Sequence, residues 1–251
     1  MILEKMSYAQ AAEAFKKDPL VIIPVGSLEQ HGPQCALGTD FLVPQFMARQ
    51  LEGIDNVIVA PTVNYGVCDY HMSFPGTVSI GVEGLSLLLG KIVEGLMSHG
   101  ARRFLVLNGH GGNTPAIDSA ALKAYKAGGI LVELDWWVVV GQLDKRFAGG
   151  HGDKIETEAM LAVDDSAVHL DLALDMDPIK LTDDIAPVHI QSFRYKGADV
   201  RIARDTKESA PHGWFGPWDP RDAKKEEGEE MMALCLDYVK GLIEELKRLE
   251  L

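Results

Sequence analysis

Glu29 and His31, in the segment GSLEQHG, set a carboxylate and an imidazole two residues apart just after an apolar, β-branched run, LVIIPVG at 20–26. If the chain stays extended there, positions two apart leave the same face, so both groups emerge together at the C-terminal end of a strand. Asp40 opens the next predicted helix nine residues after His31, and the turn GPQCALGT between them can fold it back to the same edge. His110 lies in NGHGGN directly after a second such run, FLVLN at 104–108. Its neighbours Gly109, Gly111 and Gly112 permit tight or positive-φ backbone. A fourth group is HGDKIETEAM at 151–160, where His151, Asp153, Glu156 and Glu158 crowd the start of a predicted helix, a position in which the helix dipole favours carboxylates. Taken singly, these residues have plainer uses: a surface carboxylate at Glu29, a hydrogen-bonded loop histidine at His31, a helix cap at Asp40, an acidic first turn at Asp153 and Glu158. The glycine-rich turn at His110 could also hold an anion on its backbone N–H groups, but the chain has neither a GxGxxG nor a GxxxxGKS/T pattern. Gathering at one sheet edge is what turns separate residues into a candidate site, because open α/β sheets bind ligands there.

The elements that must position them alternate. VIVAP at 57–61 and ILVEL at 130–134 resemble the two runs above, as strands buried on both faces do. Leu85, Leu88, Leu89, Ile92, Val93, Leu96 and Met97 trace one helix face, with Gly100 as a C-cap. Another helix follows Asn113, capped by Thr114, with Pro115 in its first turn and Gly128 and Gly129 past its end. Asp40 is expected to cap a helix running to Gln50, which tolerates Pro44 only in its first turn. Strands alternating with helices predict a three-layer α/β/α sandwich around a mostly parallel sheet, as one domain over 1–251. Periodicity fades over 166–220, which predicts surface excursions, a hairpin around 188–204 or an oligomer contact. From Asp219 and Pro220 a closing helix buries Met231, Cys235, Tyr238, Leu242 and Leu246.

At 251 residues, 47% hydrophobic and 24% charged, the chain has the composition of a globular protein. Its 24 basic and 37 acidic side chains leave a charge of −13, which repels nucleic-acid backbones and anionic lipid surfaces. No apolar run approaches the about 20 residues needed to span a bilayer, and the start MILEKMSYAQ lacks the shape of a secretory signal. Cys35, Cys68 and Cys235 are odd in number and form no CxxC pair, which fits a reducing, cytoplasmic setting.

Together and in order, GSLEQHGPQCALGTD, FPGTVSI, LNGHGGNTPAI and HGDKIETEAM resemble the creatininase (creatinine amidohydrolase) family, in its GHGGN form. The resemblance implies a three-layer α/β fold, a homohexamer, and hydrolysis of amide-type bonds with two divalent metal ions. It implies that Glu29 and His110 bind one metal, His31 the other, and that Asp40 bridges them. Creatininase itself has a further glutamate two residues after the histidine of the NGH motif, where this chain has Gly112; Glu156 is expected to replace that ligand, with Thr157 buttressing the turn. His151 matches a histidine near the family's substrate and is expected to orient substrate or move a proton. Phe147 stands where creatininase has a tryptophan against the flat creatinine ring, and Ala148 where it has an aspartate, which points away from creatinine as substrate. Tyr70 and His71, ahead of FPGT, are further candidates for the substrate cleft, although such clusters also serve as packing.

Three carboxylates converging with two or three imidazoles in one poorly solvated cleft are costly to bury without cations, because the like-charged carboxylates repel one another. Nitrogen and oxygen donors without cysteine suit zinc, manganese, iron or cobalt. Two such ions can share a water, lower its pKa and polarise a carbonyl. The expected activity is hydrolysis of a small cyclic amide or a formamide. The alternatives are ring opening of a cyclic diketone such as 3-dehydro-scyllo-inosose and, in another class, a metal- or anion-binding protein without catalysis.

Overall fold

The four apolar runs become β1 (Leu20–Val25), β2 (Val57–Val59), β3 (Arg103–Asn108) and β4 (Ile130–Asp135) in the computed structural model, which describes residues 1–251. All pair in parallel, in the order β2-β1-β3-β4. Leu20, Ile22, Leu105 and Leu107 point to one face of the sheet, and Val21, Ile23, Phe104 and Val106 to the other, so both faces need cover. The first face packs under α2 (Thr39–Gln50), α5 (Trp136–Leu143), α6 (Lys154–Val163) and α7 (Lys225–Lys247). The second packs under α1 (Tyr8–Phe15), α3 (Gly81–Ser98) and α4 (Thr114–Lys126). This is a three-layer α/β/α sandwich. A small antiparallel sheet is appended to it, built from β5 (Pro187–His189), β6 (Ser192–Tyr195) and β7 (Ala198–Arg201) in the order β5-β6-β7. No helix is long and apolar enough to cross a membrane.

The chain winds from β1 out to β2 and then returns past β1 to β3, so the C-terminal ends of β1 and β3 flank the point where the winding reverses. A crevice opens at such a point in open α/β sheets. The register brings Val25, Asn108 and Asp135 into one row across β1, β3 and β4, and the residues after them into one rim.

Several local expectations are corrected. Asp40 is the second residue of α2 and does not cap it; Gly38 takes the cap position. Pro44 lies beyond the first turn, inside the helix, and the N–H it lacks leaves the Asp40 carbonyl without its i→i−4 helical donor. Thr114 is inside α4, and its hydroxyl donates to Glu133 Oε1 at 3.0 Å instead of capping. Leu88 and Tyr238 face solvent, since the buried stripes of α3 and α7 run through Leu85, Leu89, Val93 and Leu96 and through Met231, Cys235, Val239, Ile243 and Leu246. α7 begins at Lys225; Pro220 sits in a separate 3-10 turn.

Two glycines set how closely α2 meets the rim. A Cβ on Gly26 would lie 2.3 Å from the Asp40 carbonyl oxygen, and one on Gly109 would lie 1.8 Å from the same atom. Gly109→Ala should therefore push the start of α2 off the sheet and cost about 1–3 kcal/mol of stability, as overpacking does. Gly241→Ala, in α7 with nothing within 4 Å, should stabilise by about 0.5–1 kcal/mol through helix propensity. Chemical denaturation of the two variants beside the parent checks both signs.

Candidate metal centre

Beyond β1 the backbone runs along the rim with Leu28 bridged to Val78 and the Glu29 N–H donating to Leu37 at 2.9 Å, which folds the 26–39 loop back on itself. That loop and the first turn of α2 deliver Glu29, His31 and Asp40; the turn after β3 delivers His110; the first turn of α6 delivers Glu156. The structure brings all five together, with His151 alongside, and each is buried. Asp40 stands in the middle. Its Oδ1 is 2.9 Å from His31 Nε2, and its Oδ2 is 3.1 Å from His110 Nδ1. Glu29 Oε1 lies 3.1 Å from His110 Nδ1, and Glu156 Oε2 lies 3.5 Å from His31 Nε2. Glu29, Asp40 and His110 thus offer one set of donor atoms within 4.8 Å of one another, and His31, Asp40 and Glu156 offer a second.

Neighbouring hydrogen bonds decide which imidazole nitrogen faces the carboxylates. His110 Nε2 is 2.9 Å from the Val67 carbonyl, which can only accept, so Nε2 carries the proton and Nδ1 presents its lone pair. His31 Nδ1 in the same way donates to the Glu29 carbonyl at 3.1 Å, freeing Nε2. Histidine ligands in metal sites are oriented by bonds of this kind on their other nitrogen. Meanwhile both carboxylate oxygens of Glu29, Oδ2 of Asp40 and Nε2 of His31 are buried without a hydrogen-bond donor or acceptor matched to them. Buried polar atoms are ordinarily satisfied, and a cation among these would satisfy all of them. The residues present therefore fit divalent metal ions.

The electrostatics agree. Burial pushes the carboxyls of Glu29 and Glu156 up, Glu156 to about 8. Burial alone would lower His31, but the Asp40 and Glu156 carboxylates outweigh it and carry the imidazole to about 10. Against the same burial, Glu29 and Asp40 hold His110 well above its ordinary value. Asp40 is buried too, yet His31 and His110 keep it well below the carboxylate range. Left to itself, the cluster recruits protons to supply positive charge.

Behind His110, the buried amide of Asn108 donates to Glu133 Oε1 at 3.0 Å and Asp135 Oδ1 at 2.8 Å, and its oxygen accepts from the His110 N–H at 3.2 Å. Asn113 joins the turn to the 26–39 loop through Gly26 at 3.1 Å and to Val67 at 3.0 Å. A Cβ on Gly112 would lie 2.1 Å from the Val67 carbonyl and 2.5 Å from His110 Nε2, so a glutamate has no room there in this backbone.

The cleft above the cluster has a volume of about 170 Å³. Tyr70 lines it, its hydroxyl 3.3 Å from His110 Nε2, together with Trp137, His189 and Ile190. His71 is fully buried and meets Glu29 Oε1 through Nε2 at 3.3 Å. Phe147 corrects its expectation: it packs into the main core with Trp136 and Val140, as a ring with no polar atom to leave in water should. The indole at the cleft is that of Trp137, at the start of α5. Trp137, His189 and the supporting amide of Gln30 had carried no signal of their own in the sequence.

The profile of the Creatininase family, described as creatinine amidohydrolase, matches residues 4–243. The chain belongs to the creatininase family. It is 32% identical to the mycofactocin precursor peptide peptidase of Mycolicibacterium smegmatis over 92% of this chain and 85% of that one, and 29% identical to the creatinine amidohydrolase of Pseudomonas putida over 91% and 90%. It is 31% identical to the 3-dehydro-scyllo-inosose hydrolase of Thermotoga maritima over 70% of this chain, a match that spans only 60% of the relative. Among solved structures, a mutant creatininase of Zn-Zn type superposes with a TM-score of 0.77 at 25% identity, and a manganese form of creatininase with 0.75 at 25%, each over 97% of both chains. Creatininase-family members thus share this whole architecture with the chain.

Burial and the nearby Asp135 push Glu133 up to about 7. A carboxyl with a raised folded pKa stabilises fully below its unfolded value and loses that contribution as pH climbs to the folded one. Glu133→Gln should therefore become progressively more stable relative to the parent between about pH 4.5 and 7, and level off above; denaturation of both proteins across that range measures the difference.

Proposed function

We propose that this creatininase-family protein is a metal-dependent hydrolase of small carbonyl compounds, with two divalent ions: one held by Glu29, Asp40 and His110, the other by His31, Asp40 and Glu156. What carries the proposal is Asp40, whose two oxygens each face a different imidazole at about hydrogen-bond distance and so serve both donor sets at once. Glu156 supplies the third donor of the second set, since its Oε2 lies 3.5 Å from His31 Nε2 while also accepting from the Gly152 N–H. The nitrogen and oxygen donors suit zinc or manganese. When bound, such a pair of ions polarises a carbonyl and lowers the pKa of water towards neutrality.

The chain's own residues do the rest. His151 turns Nδ1 towards Glu29 and Glu156, at 4.0 Å from each, and there it orients substrate or moves a proton. Tyr70 and Trp137 form flat walls, and a cleft of about 170 Å³ admits a small ring or a formyl group. Hydrolysis of a carbon–nitrogen bond in a small cyclic amide or formamide fits these walls best. Ring opening of a cyclic polyhydroxy diketone is the second reading, supported by the Tyr70 hydroxyl and the His189 imidazole as partners for substrate hydroxyls and by the inosose hydrolase relative. Leu87, Leu122 and Tyr125, exposed on α3 and α4, support self-association.

Turnover of a panel of lactams, formamides and inosose-like ketones by metal-loaded protein separates the two readings, and abolition by a chelator with recovery on adding metal tests the class. Glu156→Ala should retain about one ion where the parent retains two, by elemental analysis after dialysis. His151→Ala should keep both ions and lose turnover by a factor on the order of 10²–10⁴.

A further inference from the structure

Gln30 lies between the two ligand residues Glu29 and His31, yet its side chain turns away from the cluster and is almost wholly buried. Its amide orientation is unambiguous. Oε1 accepts from the Gly32 N–H at 3.0 Å, and Nε2 donates to the Gly213 carbonyl at 2.7 Å; the first partner can only donate and the second can only accept. Gly213 comes this close because it has no side chain: a Cβ there would sit 1.9 Å from Gln30 Oε1.

One Nε2 hydrogen is therefore committed to Gly213. The other points at two imidazoles, with His71 Nδ1 at 2.9 Å and His151 Nε2 at 2.8 Å. Both nitrogens must be acceptors, since a proton on either would face the amide N–H head-on. With His71 Nδ1 as an acceptor, the Thr206 hydroxyl can donate to it as well, at 2.9 Å. A neutral ring that accepts at one nitrogen carries its proton on the other. For His71 that is Nε2, which lies 3.3 Å from Glu29 Oε1 without a hydrogen bond to it; for His151 it is Nδ1, which lies 4.0 Å from Glu29 Oε1 and from Glu156 Oε2. The two rings stack at 4.4 Å and 23°, so one amide orders them as a unit.

We infer that Gln30 is a positioning residue that locks His151 as its Nδ1–H tautomer and His71 as its Nε2–H tautomer, so that the cleft always meets an N–H donor at His151. The inference rests on the proposed role of His151 at the cleft but deepens it: the nitrogen that faces substrate is chosen by an amide that touches neither substrate nor metal.

The test reads the tautomer directly. In zinc-loaded protein labelled with ¹⁵N-histidine, NMR should show the His151 proton on Nδ1 alone, with the signal assigned by its loss in His151→Asn. Gln30→Glu replaces the donor by an acceptor and should move the His151 proton signal to Nε2. Gln30→Met removes the donor at similar volume and should leave both nitrogens partly protonated. A parent spectrum with the proton on Nε2, or a sole Nδ1 proton that persists in either folded variant, overturns the inference. Because no turnover is read, a protein that shows the predicted tautomers but hydrolyses none of the panel compounds would count against the proposed activity and leave the Gln30 assignment standing.

Discussion

Three carboxylates withdrawn from water cannot occupy one small volume unless positive charge lies among them. That constraint organises the rim of this protein. Glu29, Asp40 and Glu156 come from three separate pieces of chain, and the two imidazoles between them are turned by backbone carbonyls so that lone pairs, not protons, face inward. The raised His31 and His110 show the same constraint from the other side, because protons gather wherever cations do not. Nothing in the folding of an isolated domain asks for such an arrangement; it lowers stability unless a ligand repays it.

The sheet makes the arrangement possible by register and by what it leaves out. Parallel strands in phase end in a row, and reversal of winding between β1 and β3 leaves their loops splayed around a crevice. Gly26 and Gly109 then let the main chain of Asp40 rest directly on that row, which fixes the residue from behind. Asn108 and Asn113 stitch the second loop to the first, so the cluster is held by backbone and buried amides more than by long flexible side chains.

Much of this was legible in the order of residues. The four strands, the helices between them and the grouping of Glu29, His31, Asp40 and His110 at strand ends follow from periodicity and from glycine placement, which are local signals. What stayed hidden depends on distant partners. Gln30 reads as a spacer between two ligand-type residues until Gly213 is folded against it, 183 positions later. His189 gains a place at the cleft only through the small antiparallel sheet, and Trp137 rather than Phe147 reaches it because α5 starts at the rim while the turn holding Phe147 runs back into the core. Asp40 looked like a cap because aspartate usually is one at a helix start; its carboxylate is taken up by the imidazoles instead.

The appended sheet carries a consequence of a different kind. His189 and Ile190 overhang the cleft from a meander whose tip, at Lys196 and Gly197, is an exposed positive-φ turn, whereas Thr206, Gly213 and Phe215 moor the following stretch to His71, Gln30 and His151. The overhang and the stretch moored beside the cluster are therefore separable pieces of polypeptide. Changes in the length or surface of the overhang can thus reshape the mouth of the cleft while the mooring points stay untouched.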